Sequence, residues 1–284
     1  MQDKVITKKT SLNFSGNLED INHPQIMGIL NLTPDSFYDG GSNKTVEVSI
    51  NNVKKMLADG ANFIDLGAYS SRPGADHISE QEEIDRLLPT LIEILRQFPD
   101  TKISVDTFRS KVAKTAVEAG ALMVNDISGG DLDPNMWATV GQLNVPYVMM
   151  HMKGNPQNMQ NNPTYTNVVD DVIYDLSVKI ELLKKAGIKD LIIDPGFGFG
   201  KTLAQNYSLM KHLQEFKLLG HPILIGVSRK SMVHKLLNTE PKNALNGTTA
   251  LHILALERGA NFLRVHDVKE AKEAVTIWKM VNNG

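Results

Sequence analysis

Polar and charged residues recur at the ends of short apolar runs along this 284-residue chain. They are Asn31, Asp65, Asp106, Asn125, Asp126, His151, Asp194, Arg229, Lys230, Arg264 and His266. Carboxylates and cations at apolar strand ends are costly unless they bind a partner or a ligand. The group as a whole therefore predicts a ligand site, although Asp126 and Asp267 could instead cap helices or face solvent, and Asp65 could be a buried structural acid.

One subset of these residues suits a flat, hydrogen-bonding ring. Asp106, Asn125, Asp194 and Lys230 supply two carboxylates, a carboxamide and an ammonium. Carboxylates accept hydrogen bonds and the lysine donates them, so we expect a heterocycle that carries an amidine-like N–H edge and a carbonyl.

A second subset, Asn31, Arg264 and His266, suits a phosphate group. The guanidinium offers a fixed fork of donors and the imidazole adds another. The carboxamide oxygen of Asn31 could also ligate Mg²⁺. The residue types therefore predict a ring pocket beside an anion pocket.

The glycine-rich stretch DPGFGFGKT, residues 194–202, ends like a nucleotide-binding loop but fails that pattern. Pro195 stands where the first glycine must be, and the glycine spacing does not fit dinucleotide binding either. We expect a tight loop with Phe197 or Phe199 as an apolar wall, the alternative being a plain structural turn. Met150 could line the ring pocket or pack in the core, and His151 could equally be a core histidine.

Two early loops, residues 33–41 and 70–76, are long, polar and glycine-containing. Such loops often form mobile lids over an active site, although simple surface loops have the same composition.

The elements that must position these residues alternate regularly between strand and helix. The pattern predicts strands at 26–32, 63–68, 102–107, 123–127, 146–151, 191–196, 223–229 and 262–267, and helices at 45–59, 80–97, 110–119, 167–186, 204–216, 243–258 and 268–281. Eight repeats in about 250 residues are typical of a (β/α)8 TIM barrel, with a doubly wound open sheet as the alternative. In a barrel, all the polar strand ends converge on one mouth.

Composition and charge restrict the function classes. Thirty Lys and Arg against 32 Asp and Glu give a formal net charge of −2, which argues against nucleic acid or an anionic membrane as a partner. The chain has no Cys and shows neither a secretion signal nor a membrane-length apolar run, so we expect a cytoplasmic protein. Residues 1–24 should form an extension with a short β-hairpin around 5–14, followed by one α/β domain over 25–284.

Eight motifs identify a resemblance to the dihydropteroate synthases, folate-pathway members of the pterin-binding barrel family. They are GILNLTPDSFYDGG (28–41), SRPGA (71–75), SVDTFR (104–109), NDISGG (125–130), MHMKGNPQNMQ (150–160), DPGFGFGK (194–201), GVSRKS (226–231) and RVHDV (264–268). The motifs are long and follow the family's order, and the resemblance runs from about residue 26 to residue 282.

The resemblance implies condensation of a dihydropterin-6-ylmethyl diphosphate with 4-aminobenzoate, giving dihydropteroate and pyrophosphate. It assigns the pterin to Asp106, Asn125, Met150, Asp194 and Lys230. It assigns the pyrophosphate and Mg²⁺ to Asn31, Arg264 and His266, of which Asn31 would be the metal ligand. It assigns 4-aminobenzoate to Ser71, Arg72, Pro73, Phe199 and Ser231. Arg264, His266 and Lys230 would be the catalytic residues.

The chain departs from the family in the second loop, where it reads GAYSSRP and relatives often read GGESTRP. Ser71 keeps the hydroxyl and loses a methyl, which affects how 4-aminobenzoate or a sulfonamide would be positioned. The resemblance also implies a homodimer, through helices of the last units such as 243–258. A pterin-binding methyltransferase and a non-catalytic pterin-binding protein are the alternative functions.

Overall fold

The computed structural model describes residues 11–14, 16–32, 42–70, 77–154, 159 and 163–282. Eight parallel strands form its central sheet: β3 Gln25–Asn31, β4 Phe63–Gly67, β5 Lys102–Asp106, β6 Met123–Asp126, β7 Tyr147–Met150, β8 Leu191–Asp194, β9 Leu224–Ile225 and β10 Phe262–Val265. The order is β8-β7-β6-β5-β4-β3-β10-β9. A single bridge between Ile193 and Ile223 joins the two end strands. This closure confirms the (β/α)8 barrel and excludes the open sheet.

Helices surround the barrel: α1 Ser42–Ala58, α2 Glu80–Gln97, α3 Ser110–Glu118, α4 Met136–Leu143, α5 Val168–Lys185, α6 Leu203–Lys211, α7 Ser231–His234, α8 Leu245–Glu257 and α9 Val268–Asn282. The helices predicted at 80–97 and 110–119 are confirmed almost residue for residue. At the start of α2, the side chain of Ser79 accepts the Glu82 N–H and so caps the helix. None of the helices in the described ranges is long and apolar enough to cross a membrane.

Two predicted elements have wrong bounds, and one helix was not predicted. The predicted helix 204–216 ends as α6 at Lys211 and continues as a 3₁₀ segment, Leu213–Leu219. The predicted strand 223–229 pairs only over residues 223–225, through the Ile193–Ile223 bridge and β9. The chain then leaves the sheet and turns at Arg229, whose φ is +56°. Helix α4, of eight residues, was not predicted, although Met136, Val140 and Leu143 follow a helical spacing and the first two are buried.

Side chains alternate between the barrel interior and the helix layer, as the two-residue period of a strand requires. The interior floor is apolar and contains Met27, Phe63, Met123, Val148, Ile192, Leu224 and Phe262. Two positions further along five of these strands stand Asp65, Asn125, Met150, Asp194 and Arg264. The barrel floor and the predicted site therefore share one face of the sheet, and the site lies directly above the floor.

The N-terminal hairpin closes the opposite end of the barrel. Strands β1 (Ser11–Phe14) and β2 (Asn17–Asp20) pair antiparallel, so the hairpin lies further along the chain than predicted, and residues 5–10 are outside the described ranges. Leu12, Phe14 and Ile21 pack into the apolar floor. The Phe14 ring lies 5.4 Å from that of Phe63, centroid to centroid. Extension and barrel thus share one hydrophobic core.

Candidate active site

Arg264, on β10, lies at the centre of the polar mouth of the barrel. Its Nε donates to Asp65 Oδ2 at 2.6 Å, and its Nη2 donates to Asp106 Oδ2 at 2.6 Å. Asn125 Nδ2 donates to the same Asp65 oxygen at 2.9 Å. Four strands thus contribute one connected network, as expected where the carboxyl ends of barrel strands meet.

This network joins the two subsets that the residue types separated. Arg264 belongs to the predicted anion pocket, yet it binds Asp106 of the ring pocket directly. Asp65 is fully buried and supports both Arg264 and Asn125, so it acts as the structural acid that the sequence left open. The ring pocket and the anion pocket are therefore adjacent, and Arg264 lies between them.

Burial and charge set the protonation of the network. Burial raises the pKa of Asp106 to about 7, against the opposing effect of Arg264 and with a further rise from Asp65. Burial disfavours the charged form of Arg264, but Asp65 and Asp106 outweigh it and raise its pKa. Arg264 therefore stays cationic, and Asp106 gains or loses its proton near neutral pH.

Asp194 and Lys230 stand on the other side of the mouth. Asp194 Oδ1 accepts the Gly196 N–H at 2.7 Å, and Lys230 Nζ donates to the Phe197 carbonyl at 2.7 Å. Burial raises the pKa of Asp194 and lowers that of Lys230 to about 8, and each group partly offsets the shift of the other. An acceptor and a donor are thus held ready within one pocket.

An apolar wall flanks these polar groups. Met150 packs with Phe108, Ile127, Met152 and Met159, and this cluster packs against Tyr69 and Phe199. The Phe199 ring centroid lies 4.6 Å from Lys230 Nζ, in a cation–π contact. The structure therefore brings Met150 and Phe199 together, as a wall for a planar ligand would require.

His266 and Asn31 lie around the same mouth. The backbone N–H of His266 donates to Ser228 Oγ at 3.2 Å, and its Nδ1 lies 3.1 Å from that oxygen. Burial and the Arg264 charge lower the pKa of His266 to about 4, so its ring is neutral at pH 7. A Cβ added at Gly67 would lie 3.5 Å from Asp106 Oδ2 and 3.7 Å from Asn31 Oδ1. Asn31 and Asp106 thus border the same small space.

Several polar residues at strand ends are structural. Asp126 faces the helix layer, where it accepts the Tyr147 hydroxyl at 2.6 Å and the Gly130 N–H at 2.9 Å. Arg229 binds Asp267 through two hydrogen bonds of 2.8 and 2.5 Å. The capping or structural alternative therefore holds for Asp126 and Asp267.

Part of the predicted 4-aminobenzoate site lies outside the described residues. Ser71, Arg72 and Pro73, and both predicted lids apart from Ser70, belong to those ranges. Ser231 is exposed at the first residue of α7, next to Lys230. Only Phe199 and Ser231 of that set can be placed.

Sequence reasoning missed Lys201, which is 3% exposed at the end of the glycine-rich loop. Its Nζ lies 3.1 Å from His151 Nδ1 and 2.9 Å from each of two loop carbonyls. The available signal was a lysine that closes a stretch of only Pro, Gly and Phe.

The chain matches known proteins over nearly its whole length. A family model described as pterin binding enzyme matches residues 27–266. The dihydropteroate synthase of Synechocystis sp. is 43% identical over 261 residues, which are 89% of this chain and 90% of the relative.

Solved structures agree with this match. Dihydropteroate synthase from Xanthomonas albilineans, solved with 4-aminobenzoic acid, has a TM-score of 0.90 and 40% identity over 98% of this chain and all of that chain. The same enzyme solved with 7,8-dihydropteroate has a TM-score of 0.87 and 38% identity, over 96% of this chain and 99% of that chain. The Yersinia pestis enzyme, solved in a sulfonamide drug complex, has a TM-score of 0.91 and 41% identity, over 96% of this chain and all of that chain.

Proposed function

Since this chain belongs to the pterin-binding enzyme family and, within it, to the dihydropteroate synthases, we propose how its barrel mouth performs that reaction. The enzyme is a transferase of folate synthesis that joins a 7,8-dihydropterin-6-ylmethyl diphosphate to 4-aminobenzoate and releases pyrophosphate. The assignment of roles depends on the hydrogen bond from Arg264 to Asp106. It connects a carboxylate that would bind the pterin ring to the anion side of the mouth. One residue can thereby couple ring binding to departure of the leaving group.

The pterin ring is held by Asp106, Asn125, Asp194 and Lys230, against the wall formed by Met150. Asp106 and Asp194 are the acceptors for the amino-pyrimidinone N–H groups, and Lys230 donates to the ring carbonyl. Lys230 and Asp194 each bind the loop at residues 196–197, so the donor and acceptor are already oriented in the protein. Preorganised groups of this kind reduce the entropy lost on binding.

The diphosphate is held by Arg264, His266 and Asn31. The Ser228 hydroxyl can donate to His266 Nδ1, which leaves the neutral ring with its Nε2–H as a donor toward the anion. Arg264 stabilises the negative charge that grows on the departing diphosphate, and this differential stabilisation accelerates the reaction.

The donor set fits Mg²⁺ only as an ion shared with the substrate. Mg²⁺ keeps several waters and usually takes one or two protein oxygens together with substrate phosphates. Asn31 supplies one such oxygen, and no cluster of three or more His, Asp or Glu in the described ranges could hold a metal alone. When bound, the ion would neutralise charge on the leaving diphosphate.

Bond breaking leaves positive charge on the pterin methylene, which Asp106 and Asp194 favour electrostatically. The arylamine of 4-aminobenzoate is neutral at pH 7 and needs no base before it attacks this carbon. The new C–N bond replaces the C–O bond to the diphosphate, and the nitrogen then loses one proton to the released pyrophosphate or to water. Phe199 and Ser231, with Ser71, Arg72 and Pro73, form its site in this proposal. A sulfonamide would compete there.

The same family membership supports a homodimer through α8 and α9. Exposed apolar side chains remain on these two packed helices: Leu254 is 41%, Ile277 62% and Met280 75% exposed. Apolar surface of this kind is typical of a protein interface.

The test is pyrophosphate release by the purified protein, with mass detection of the pterin product. Release and formation of dihydropteroate should both require 4-aminobenzoate, and chelation by EDTA should stop turnover until Mg²⁺ is restored. Transfer of a methyl group instead would support the pterin-dependent methyltransferase. Full turnover in EDTA would refute the role of Mg²⁺ and leave the reaction assigned.

A further inference from the structure

Lys201 is a buried cation for which the proposed reaction has no direct use. It follows the glycine-rich loop between β8 and α6, and its side chain contacts two loops at the mouth of the barrel. A lysine that is 3% exposed must find partners for its ammonium protons, because an unpaired buried charge is strongly unfavourable.

Four acceptors surround the ammonium. Nζ lies 2.9 Å from the Gly196 carbonyl, 2.9 Å from the Phe199 carbonyl, 3.3 Å from the His151 carbonyl and 3.1 Å from His151 Nδ1. Two of them belong to the β8–α6 loop and two to the first residue after β7. Only a protonated amine has three protons for such a set, so the ammonium form binds both loops. Burial lowers the pKa of Lys201 to about 7, against the opposing effect of Asp194, so this form dominates below neutral pH.

The two loops approach each other too closely for side chains to separate them. A Cβ added at Gly196 would lie 1.9 Å from the His151 carbonyl oxygen, and one added at Gly200 would lie 2.8 Å from that of Lys153. Both glycines have positive φ, of +71° and +59°. Lys201 binds at this junction, where the backbone of residues 196–200 contacts the backbone of residues 151–153.

We call the contact of Lys201 with His151, Gly196 and Phe199 the clamp. The β8–α6 loop that it holds carries groups that face the substrate site. Gly196 donates to the Asp194 carboxylate, the Phe197 carbonyl accepts from Lys230, and the Phe199 ring lies against the same lysine. The Gly196 and Phe199 carbonyls that hold Lys201 therefore belong to residues that orient Asp194 and form the apolar wall.

We propose that Lys201 is a positioning residue: its buried ammonium fixes the β8–α6 loop to His151, and so holds Asp194 and Phe199 in place for the two ring substrates. The proposal rests on the proposed function, because it concerns how that same site is kept in its binding geometry. Lys201 does not touch the substrate.

His151 has a matching role in this clamp. To accept from Lys201, its Nδ1 must carry no proton, so the proton is on Nε2, which lies 3.3 Å from Asp175 Oδ2. Burial and the Lys201 charge lower the pKa of His151 to about 2, which keeps the ring neutral. The histidine that the sequence left ambiguous is thus a partner of the clamp.

The first experiment replaces Lys201 by Met, which keeps a long unbranched side chain and removes every hydrogen-bond donor from it. Lys211→Met, on the exposed end of α6, is the matched control. Calorimetry with 6-hydroxymethylpterin should show Kd raised about tenfold or more for Lys201→Met, the loss expected for carbonyls left without partners, and no change for the control.

Steady-state kinetics separate positioning from simple loss of folded protein. In Lys201→Met the KM for the dihydropterin diphosphate should rise about tenfold while kcat falls less, because the Arg264 side of the site is untouched. Partial unfolding would lower kcat and leave KM and the pterin Kd unchanged, and that result would overturn the proposal. Absence of dihydropteroate formation by the wild-type enzyme would instead refute the proposed function.

A second pair of variants tests the clamp with Lys201 intact. In His151→Asn, the carboxamide oxygen can occupy the place of Nδ1 and accept from Lys201, whereas His151→Leu removes the acceptor. We expect pterin affinity near the wild-type value for His151→Asn and a clear loss for His151→Leu. In the Lys201→Met background, His151→Leu should cost little more, and full additivity of the two losses would contradict the clamp.

Discussion

At the scale of single residues, the site depends on charges that are buried in pairs. Asp65 has no exposed surface, and its Oδ1 has no hydrogen-bond partner within the described part of the chain. Its other oxygen accepts from Asn125 and Arg264. Asp65 therefore depends on Arg264 for charge balance, and any change at the arginine acts on stability as well as on catalysis.

We predict two separable losses for Arg264→Ala. Transition-state stabilisation should fall by roughly 2.7 to 4 kcal/mol because the leaving group loses a charged donor. The free energy of unfolding should fall by about 3 to 5 kcal/mol because Asp65 is left as an uncompensated buried charge. Steady-state kinetics and denaturant unfolding measure the two.

Asp65→Asn in the Arg264→Ala background is the control. It removes the uncompensated charge, so stability should recover in large part while kcat/KM stays low. Normal turnover and unchanged pyrophosphate binding in Arg264→Ala would show that the anion pocket is assigned wrongly.

A second prediction at this scale concerns His252, a buried histidine of α8. Both ring nitrogens lack hydrogen-bond partners among the described residues, and burial lowers its pKa from 6.5 to about 4. Between these values the unfolded chain binds a proton that the folded protein excludes, so this residue makes stability fall as the pH falls. Raised carboxyl pKa values, such as that of Asp106, act in the opposite direction.

Comparison with His252→Leu isolates the contribution of this histidine. The stability of the variant relative to the wild type should increase by about 1.4 kcal/mol per pH unit as the pH falls from 6.5 toward 4. Denaturant unfolding at several pH values measures it. A difference that does not depend on pH would mean that His252 is already protonated in the folded protein.

At the scale of elements, the N-terminal hairpin covers the apolar end of the barrel. Phe14 is 2% exposed and packs on Phe63, which packs in turn on Phe262 at 5.8 Å between centroids. This end of the barrel is opposite the site, so the hairpin contributes stability and does not contact substrate.

We therefore predict that Phe14→Ala lowers the free energy of unfolding by about 3 to 5 kcal/mol, the usual cost of removing a buried aromatic ring. The KM of the folded enzyme for both substrates should be unchanged. Leu18→Ala is the matched control, because Leu18 lies on the same hairpin and is 72% exposed. An equal, small effect of both substitutions would show that the hairpin does not seal the core.

At the scale of the whole molecule, the homodimer proposal predicts a concentration-dependent mass. Sedimentation velocity at micromolar concentration should give twice the mass of the chain. Ile277→Glu combined with Met280→Glu should shift the protein toward the monomer, because two charges would be buried without partners at the interface. Val178→Glu, on the exposed face of α5, is the control and should sediment like the wild type. A wild-type monomer at all concentrations would refute the proposal.

Local patterns in the sequence predicted the fold and placed most of the polar strand-end residues at one mouth of the barrel. The alternation of strands and helices predicted the barrel, and a polar residue two positions after an apolar floor residue, as in Phe63 and Asp65 or Phe262 and Arg264, must share its face. Because all parallel strand ends meet at one mouth, these residues could be assigned to a common site without any contact being known.

Only the tertiary structure decided how these residues pair. Arg264 binds Asp65 across 199 positions and Asp106 across 158, and Lys201 reaches His151 across 50. No periodicity encodes such partners, because they follow from barrel closure and from the need of each buried charge for a counter-charge or for hydrogen bonds. The outward turn of Asp126 and the hairpin's position under the floor have the same origin, since packing of the complete molecule selects which polar groups face a ligand and which serve the fold.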